Sequence, residues 1–156
     1  MVAVELRRPI DGREMIARRI LAALPSWFGR PASTARYIEI AGYSPMLAAY
    51  ADDEAVGFLT LVDGPEPGTA EISVIGVLPE LHRQGIGRML VGTALEDCRV
   101  LERRTLYVQT VGAAHPDAGY ARTRAFYAAV GFRKVHETPD AWGPGTPALL
   151  LALDLR

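Results

Sequence analysis

Alternating apolar and polar positions predict β-strands along much of this chain. Residues 46–51 and 55–62 form two predicted strands of a hairpin. Residues 70–78 form another, apolar at nearly every position, as is typical of a strand covered on both faces. Pro79 ends that strand, because a proline keeps the residue before it extended. The remaining predicted strands cover residues 2–7, 105–111, 132–136 and 148–155.

Helical spacing of apolar residues predicts helices between these strands. The first covers residues 15–23, and a short second helix is predicted over 35–40. A long helix begins at residue 86, and the last helix covers 120–130. The buried face of the long helix is predicted to contain Ile86, Leu90, Ala94, Cys98 and Leu101.

The order of these elements predicts the fold class. Strands and helices follow one another as β-α-β-β-β-α-β-α-β-β, which indicates an α/β fold with a mixed sheet and helices on its faces. The chain of 156 residues contains no repeat and no linker, so we expect a single domain over residues 1–156.

Composition narrows the classes of function. Apolar residues make up 49% and charged residues 22%, as in soluble globular proteins. A net charge of −1 provides no broad basic surface, so no nucleic-acid partner is expected. The single cysteine, Cys98, excludes an intrachain disulfide and a cysteine zinc site, and no metal is expected. No apolar run approaches the ~20 residues of a membrane span. With no signal-peptide pattern, we expect a cytoplasmic protein without a membrane partner.

One stretch gives the main chemical signal. After the predicted strand 70–78, a short loop enters a helix at two closely spaced glycines, Gly85 and Gly87. The free N–H groups and positive dipole end of a helix start favour an anion, and glycine lets a pyrophosphate approach the backbone. Arg83 and Arg88 add positive charge. The candidate phosphate-binding residues are His82, Arg83, Gln84, Gly85, Ile86, Gly87 and Arg88.

The same glycines have other interpretations. A tight turn explains them without any ligand. A P-loop requires Gly-Lys-Ser/Thr, which does not occur at this turn. A dinucleotide fingerprint requires a third glycine where this chain has Leu90, and an acid on the next strand, which residues 105–111 lack.

Two segments together resemble the GNAT acyltransferase superfamily. The family's phosphate signature, Gln/Arg-x-x-Gly-x-Gly/Ala, matches at Gly85 and Gly87, with His82 in its first position. Residues 125–132, Ala-Phe-Tyr-Ala-Ala-Val-Gly-Phe, are similar to the family's Phe-Tyr-x-x-x-Gly-Phe ending. The helix there often opens with Asn-x-x-Ala, and Tyr120 takes the place of that asparagine.

The resemblance implies a mostly antiparallel mixed sheet whose parallel middle strands, 70–78 and 105–111, splay apart and bind acetyl-CoA. The backbone of Ile75 and Val77 would pair with the pantetheine arm. The Ile75 N–H would polarise the thioester carbonyl, since a fixed donor stabilises the oxyanion that forms there. Tyr120 joins the implied cofactor-binding residues.

The resemblance also implies catalytic residues. Tyr127 matches a tyrosine that protonates the departing CoA thiolate, with packing against the sheet as its alternative. Glu71 has the spacing of a glutamate that removes a proton from the amine through water, with a solvated glutamate as its alternative. His115, in the loop after 105–111, is a second candidate base, and its alternative is a capping or surface role.

An acetyl-CoA-dependent N-acetyltransferase is therefore the predicted enzyme. A primary amine on a small molecule is the first expected acceptor, attacking acetyl-CoA directly in a ternary complex. A protein N-terminus or lysine is the second, and a non-catalytic acyl-CoA-binding regulatory module is the alternative from another class. Homodimer formation stays open. The candidate walls of the acceptor pocket are Trp27, Phe28, Tyr37, Tyr43 and Trp142.

Overall fold

A computed structural model describes residues 2–155. These residues form a mostly antiparallel mixed sheet with strand order β1-β2-β3-β4-β5-β7-β6, in which β4 and β5 run parallel. The predicted α/β class and mixed sheet are confirmed. The strands are β1 (Glu5–Arg7), β2 (Met46–Ala51), β3 (Glu54–Asp63), β4 (Thr69–Val77), β5 (Thr105–Val111), β6 (Arg133–Thr138) and β7 (Ala148–Asp154).

The helices follow the predicted order, and α1, α2 and α4 each begin earlier than predicted. Helix α2 begins at Pro31, earlier than the predicted 35–40, because proline is well suited to the first helical position. Strand β1 is shorter than the predicted 2–7. The helices are α1 (Arg13–Ala22), α2 (Pro31–Ala41), α3 (Ile86–Val100) and α4 (Ala118–Val130), and a short 3₁₀ helix covers Pro79–Leu81.

The chain divides into two compact units by its internal contacts. The first comprises the chain up to Val62 together with Ile72–Asp97. The second comprises Asp63–Glu71 and the chain from Cys98 onward.

The core of the first unit lies between helices α1 and α2 and the sheet. Ile20 and Leu21 of α1 are buried in one cluster with Phe58 of β3 and Val74 of β4. Gly76 allows this close approach, since a side chain there would meet Ile20 Cγ2 at 3.3 Å. The cluster therefore fixes β4 against α1 on one face.

Strand β4 differs from its prediction on its other face. Its burial alternates: positions 70, 72, 74 and 76 are buried, whereas 71, 73, 75 and 77 are only half-buried. A Cβ on Gly57 of β3 would meet both Val77 and Ile86 at 3.3 Å. Val77, on the half-buried face of β4, and Ile86, at the start of α3, therefore both border Gly57. The expected full cover on both faces is found on one face only.

Helix α3 buries the predicted side chains with one exception. Ile86, Leu90, Ala94 and Cys98 are buried, but Leu101 is 65% exposed, so that prediction was wrong. The helix ends in a Schellman motif, in which the Arg103 N–H donates to Cys98 O. Leu101 is therefore the capping residue, where helical periodicity no longer applies.

Helix α4 of the second unit begins earlier than predicted because of a side-chain cap. The Asp117 carboxylate accepts the Gly119 N–H at 2.7 Å and the Tyr120 N–H at 3.4 Å. Such a cap satisfies N–H groups that the first helical turn leaves without partners. Gly131, with φ of 120°, ends the helix as the sequence predicts.

Candidate functional site

The connection between β4 and α3 has the conformation of an anion-binding loop. Arg83 and Gly85 have φ values of 65° and 82°, in the left-handed region. A Cβ on Gly85 would have no atom within 4 Å, so the space over this residue is open. The first hydrogen bond of the helix runs from the Met89 N–H to Gly85 O at 3.0 Å. Helix geometry therefore leaves the N–H groups of residues 86–88 without intrahelical partners, which suits a phosphate.

His82 is engaged with the end of β4. Its Nε2 lies 2.7 Å from Val77 O. Because a carbonyl oxygen only accepts, Nε2 carries the proton and donates it. The imidazole also contacts the Trp27 ring edge-on, with centroids 5.7 Å apart and planes at 74°. The sequence predicted that His82 is one of the phosphate-binding residues. In the structure, the His82 side chain instead holds the loop that contains those residues.

In the part of the chain that the structure describes, the side chains of Arg83, Gln84 and Arg88, the other polar residues of this loop, do not share the contacts of His82. The Oε1 atom of Gln84 accepts the backbone N–H of Val2 at 3.1 Å. Arg83 and Arg88 are exposed at the helix start. Both arginines add positive charge to the start of the helix.

Glu71 lies near the beginning of β4, on its half-buried face. Burial raises the pKa of its carboxyl group above the ordinary value, because removing a carboxylate from water disfavours the charged form. A raised pKa is the direction that a carboxylate needs if it is to remove a proton from an amine. Glu71 is thus a better proton acceptor than an exposed glutamate.

Tyr127 is buried on α4, with 3% of its surface exposed. Its ring contacts Phe126 and Phe132, with centroids 5.3 Å and 5.4 Å away. The position of the ring is therefore set by aromatic packing, and a phenylalanine would keep these contacts.

His115 has the geometry of a capping residue. Its Nδ1 accepts the Asp117 N–H at 3.2 Å, and its ring contacts Tyr120 with centroids 5.2 Å apart. In the neutral imidazole one nitrogen carries the proton, so Nε2 carries it here and the basic lone pair on Nδ1 is already used. This hydrogen bond favours the capping alternative for His115 over the role of a base.

A family model supplies the decisive comparison: the model of the Acetyltransferase (GNAT) family matches residues 16–132. The chain belongs to the GNAT acetyltransferase family. No curated protein matches it.

Solved structures show the fold of this GNAT acetyltransferase in other proteins. A GNAT-family protein from Desulfovibrio desulfuricans has a TM-score of 0.83 at 23% identity, covering 99% of this chain and 100% of its own. The ribosomal-protein-S18-alanine N-acetyltransferase from Escherichia coli has 0.78 at 18%, covering 98% and 94%. An aminoglycoside 6'-N-acetyltransferase in complex with coenzyme A has 0.75 at 18%, covering 97% of each chain.

The structure groups the candidate residues of this GNAT acetyltransferase within each unit. In the first unit, Val77 lies beside both His82 and Ile86. In the second, His115 contacts Tyr120. None of the helices within residues 2–155 is long and apolar enough to cross a membrane.

Two interactions near the candidate residues escaped the sequence analysis. One is the contact of Trp27 with His82, which joins segments far apart in sequence. The other is the hydrogen bond from Arg124 Nη1 to Val111 O at 2.7 Å, at the end of β5. A half-buried arginine on an otherwise apolar helix face is a signal that could have indicated the second interaction.

Proposed function

We propose that this GNAT acetyltransferase transfers the acetyl group of acetyl-CoA to a primary amine of a small molecule. The amine attacks directly, in a ternary complex. The conformation of the β4–α3 loop is the main support for this proposal. Gly85, at the start of α3, is left-handed, and a Cβ there would have no atom within 4 Å. A helix start of this kind presents its N–H groups to a pyrophosphate.

Acetyl-CoA supplies an activated acyl group. In this proposal, residues of the chain bind acetyl-CoA and orient its thioester. Residues 82–88 hold the pyrophosphate, with Tyr120 as a further cofactor-binding residue. The backbone of Ile75 and Val77 meets the pantetheine arm, and the Ile75 N–H donates to the thioester oxygen. Val77 O already accepts a hydrogen bond from His82, so the Val77 N–H is the group that we assign to the pantetheine arm.

Glu71 and Tyr127 carry the proton transfers in this proposal. The amine nitrogen forms a bond to the acyl carbon, and the carbon–sulfur bond breaks. Glu71 takes the amine proton through water, which its raised pKa supports. Tyr127 gives its proton to the departing thiolate. His115 is retained as the second candidate base, although its Nδ1 is engaged by Asp117.

The acceptor is proposed to be a small molecule, with a protein N-terminus or lysine as the second candidate. Relatives of this fold are named for both kinds of acceptor, an aminoglycoside and a ribosomal protein. Three of the aromatic candidates for the acceptor pocket, Trp27, Phe28 and Tyr37, pack against the core of the first unit. Tyr43, with 66% of its surface exposed, is the aromatic residue that we favour for acceptor contact.

We also propose that residues 1–156 form a single acyltransferase domain that acts in the cytoplasm without nucleic acid. The family match over residues 16–132 supports the single domain, since that range includes segments of both compact units.

Release of free thiol from acetyl-CoA, measured against a panel of amines, tests the proposed function. The panel contains aminoglycosides, simple alkylamines and peptides with free N-termini or lysines, and calorimetry measures CoA binding separately. Turnover with a small amine is the expected result. Turnover with peptides alone would favour the protein acetyltransferase. CoA binding without any turnover would favour the regulatory module, and absence of CoA binding would contradict the proposal.

A further inference from the structure

His82 connects two segments of the first unit that lie far apart in sequence. Its Nε2 donates to Val77 O at 2.7 Å, which ties the end of β4 to the loop. Its ring meets Trp27, which follows α1, at 5.7 Å. One side chain therefore links the β4–α3 loop to the segment between α1 and α2.

The hydrogen bond to Val77 closes a short loop in the chain. It spans residues 77–82, and the left-handed Arg83 and Gly85 follow directly. The left-handed conformation of Arg83 is unfavourable in a free loop, because only glycine adopts this region without a steric cost. The hydrogen bond from His82 to Val77 lies immediately before Arg83 and Gly85. It reduces the number of conformations that the chain can adopt at the start of α3.

Trp27, which contacts the His82 ring, is itself held in place by the core of the first unit. Its side chain is half-buried and packs against the core cluster of the first unit, as does Leu78, the residue directly after β4. The Leu78 N–H donates to Val56 O at 2.9 Å, so the chain on the strand side of the loop is also held. His82 lies between these two fixed points.

We propose that His82 is a positioning residue for cofactor binding: it holds the β4–α3 loop between Val77 O and the Trp27 ring in the conformation that receives the pyrophosphate. The proposal rests on the proposed function, since it concerns the affinity of the same loop for CoA. It changes the role of His82 from a phosphate contact to a support of the loop, and it adds Trp27 as a second supporting residue. Loops that are held in their bound conformation lose less entropy on binding.

Two substitutions separate the two contacts of His82. His82→Gln keeps a side-chain N–H that can donate to Val77 O but removes the ring that meets Trp27. His82→Phe keeps a ring against Trp27 but removes the donor. His136 on β6 is an exposed histidine with no assigned role, so His136→Phe is a matched control.

Calorimetry with CoA and steady-state kinetics with acetyl-CoA measure the effect. We expect His82→Phe to raise the Kd of CoA and the KM of acetyl-CoA about threefold to tenfold, the usual range for one lost hydrogen bond. The kcat should stay close to that of the parent, because His82 touches no reacting atom in this proposal. His82→Gln should restore most of the affinity, and His136→Phe should change nothing.

Trp27 provides an independent test. Trp27→Leu should also raise the Kd of CoA, although Trp27 lies outside residues 82–88. Combined with His82→Phe, it should add little further, because contacting residues that act together are not additive. Thermal unfolding of every variant shows whether a loss of affinity reflects loss of the fold.

Tryptophan fluorescence monitors the contact between His82 and Trp27 without a substitution at His82. The chain has two tryptophans, so Trp142→Phe leaves Trp27 as the reporter. Because the loop is already held in the conformation that receives the pyrophosphate, CoA that binds calorimetrically should leave the Trp27 emission close to that of the free protein. Parent-like affinity in His82→Phe, or a large change in Trp27 emission when CoA binds, would overturn the positioning role and leave the proposed function intact. A parent protein that binds no CoA would overturn both proposals.

Discussion

The imidazole Nδ1 of His115 accepts the backbone N–H of Asp117 at 3.2 Å, which places the histidine in the cap of helix α4. Asp117 in turn accepts the Gly119 N–H at 2.7 Å. The loop before α4 is therefore organised around the helix start. A base at His115 would have to give up this hydrogen bond before it could accept a proton on Nδ1.

Glu71→Gln should lower turnover at neutral pH by about a hundredfold, the lower end for loss of a general base. Raising the pH should restore much of the activity, because the amine then arrives already deprotonated. His115→Ala should have a smaller effect. The profile of kcat/KM between about pH 6 and 10 for both variants distinguishes them.

The reverse outcome would exchange the two roles. If His115→Ala showed the larger loss with recovery at high pH while Glu71→Gln were silent, His115 would be the base. If neither substitution mattered, the amine would lose its proton in solution before binding. Asp117→Ala is a useful companion, since it removes the helix cap and should lower stability by about 1 kcal/mol.

The raised pKa of Glu71 also predicts a pH dependence of stability. Burial raises the pKa in the folded state, so the folded protein binds this proton more tightly than the unfolded chain. The resulting stabilisation is present below the unfolded value of about 4.3 and is lost as the pH rises through the folded pKa. Above that pKa, the parent carries a partly buried charge that Glu71→Gln does not.

Thermal unfolding between about pH 4 and 8 tests this prediction. The Tm of Glu71→Gln relative to the parent should increase as the pH rises. Glu80→Gln, at an exposed glutamate, is the control substitution. A Tm difference for Glu71→Gln that is the same at every pH would mean that burial does not perturb this carboxyl group.

Element boundaries show how far the sequence determined the fold. The strand over 46–51 was predicted to the residue, because its apolar run ends at a clear turn. Leu101 was misplaced because apolar spacing continued past Val100, where the helix ends just before the left-handed Glu102. The start of α4 was placed late because the cap at Asp117 precedes the periodic residues.

In the candidate site too, local features could be predicted from the sequence, whereas long-range contacts could not. Gly85 and the turn around it could be predicted, since the requirement for glycine and the helix start are both written in a few adjacent residues. The bond from His82 to Val77 and the contact with Trp27 could not, because they depend on how the loop returns to β4 and how α1 packs. The burial of Glu71 could not be predicted either, because a glutamate at the start of a strand is equally compatible with a solvated position.

Gly85→Ala should weaken CoA binding by about tenfold or more, and Gly12→Ala is its matched control. Both glycines cap the start of a helix with φ of 82° and 72°, and neither has an atom near the position of a Cβ. Each substitution should therefore cost a similar ~1–2 kcal/mol in stability, from the left-handed backbone. Only Gly85→Ala puts a methyl group where the pyrophosphate should lie, so Kd values from calorimetry should separate the two. Equal CoA affinity in both variants would remove the β4–α3 loop from the cofactor site.

Tyr127→Phe should lower kcat by about 10²–10⁴-fold with little change in KM, because the hydroxyl acts on the developing thiolate and not on the bound substrate. The fold should tolerate the change, since the ring keeps its contacts with Phe126 and Phe132. Tyr107→Phe is the control: this buried tyrosine donates to Glu66 at 2.5 Å, and its loss should cost about 1 kcal/mol in stability without affecting kcat. Steady-state kinetics and thermal unfolding on both variants separate chemistry from packing. An unchanged kcat in Tyr127→Phe would assign the residue to the aromatic packing of α4 alone.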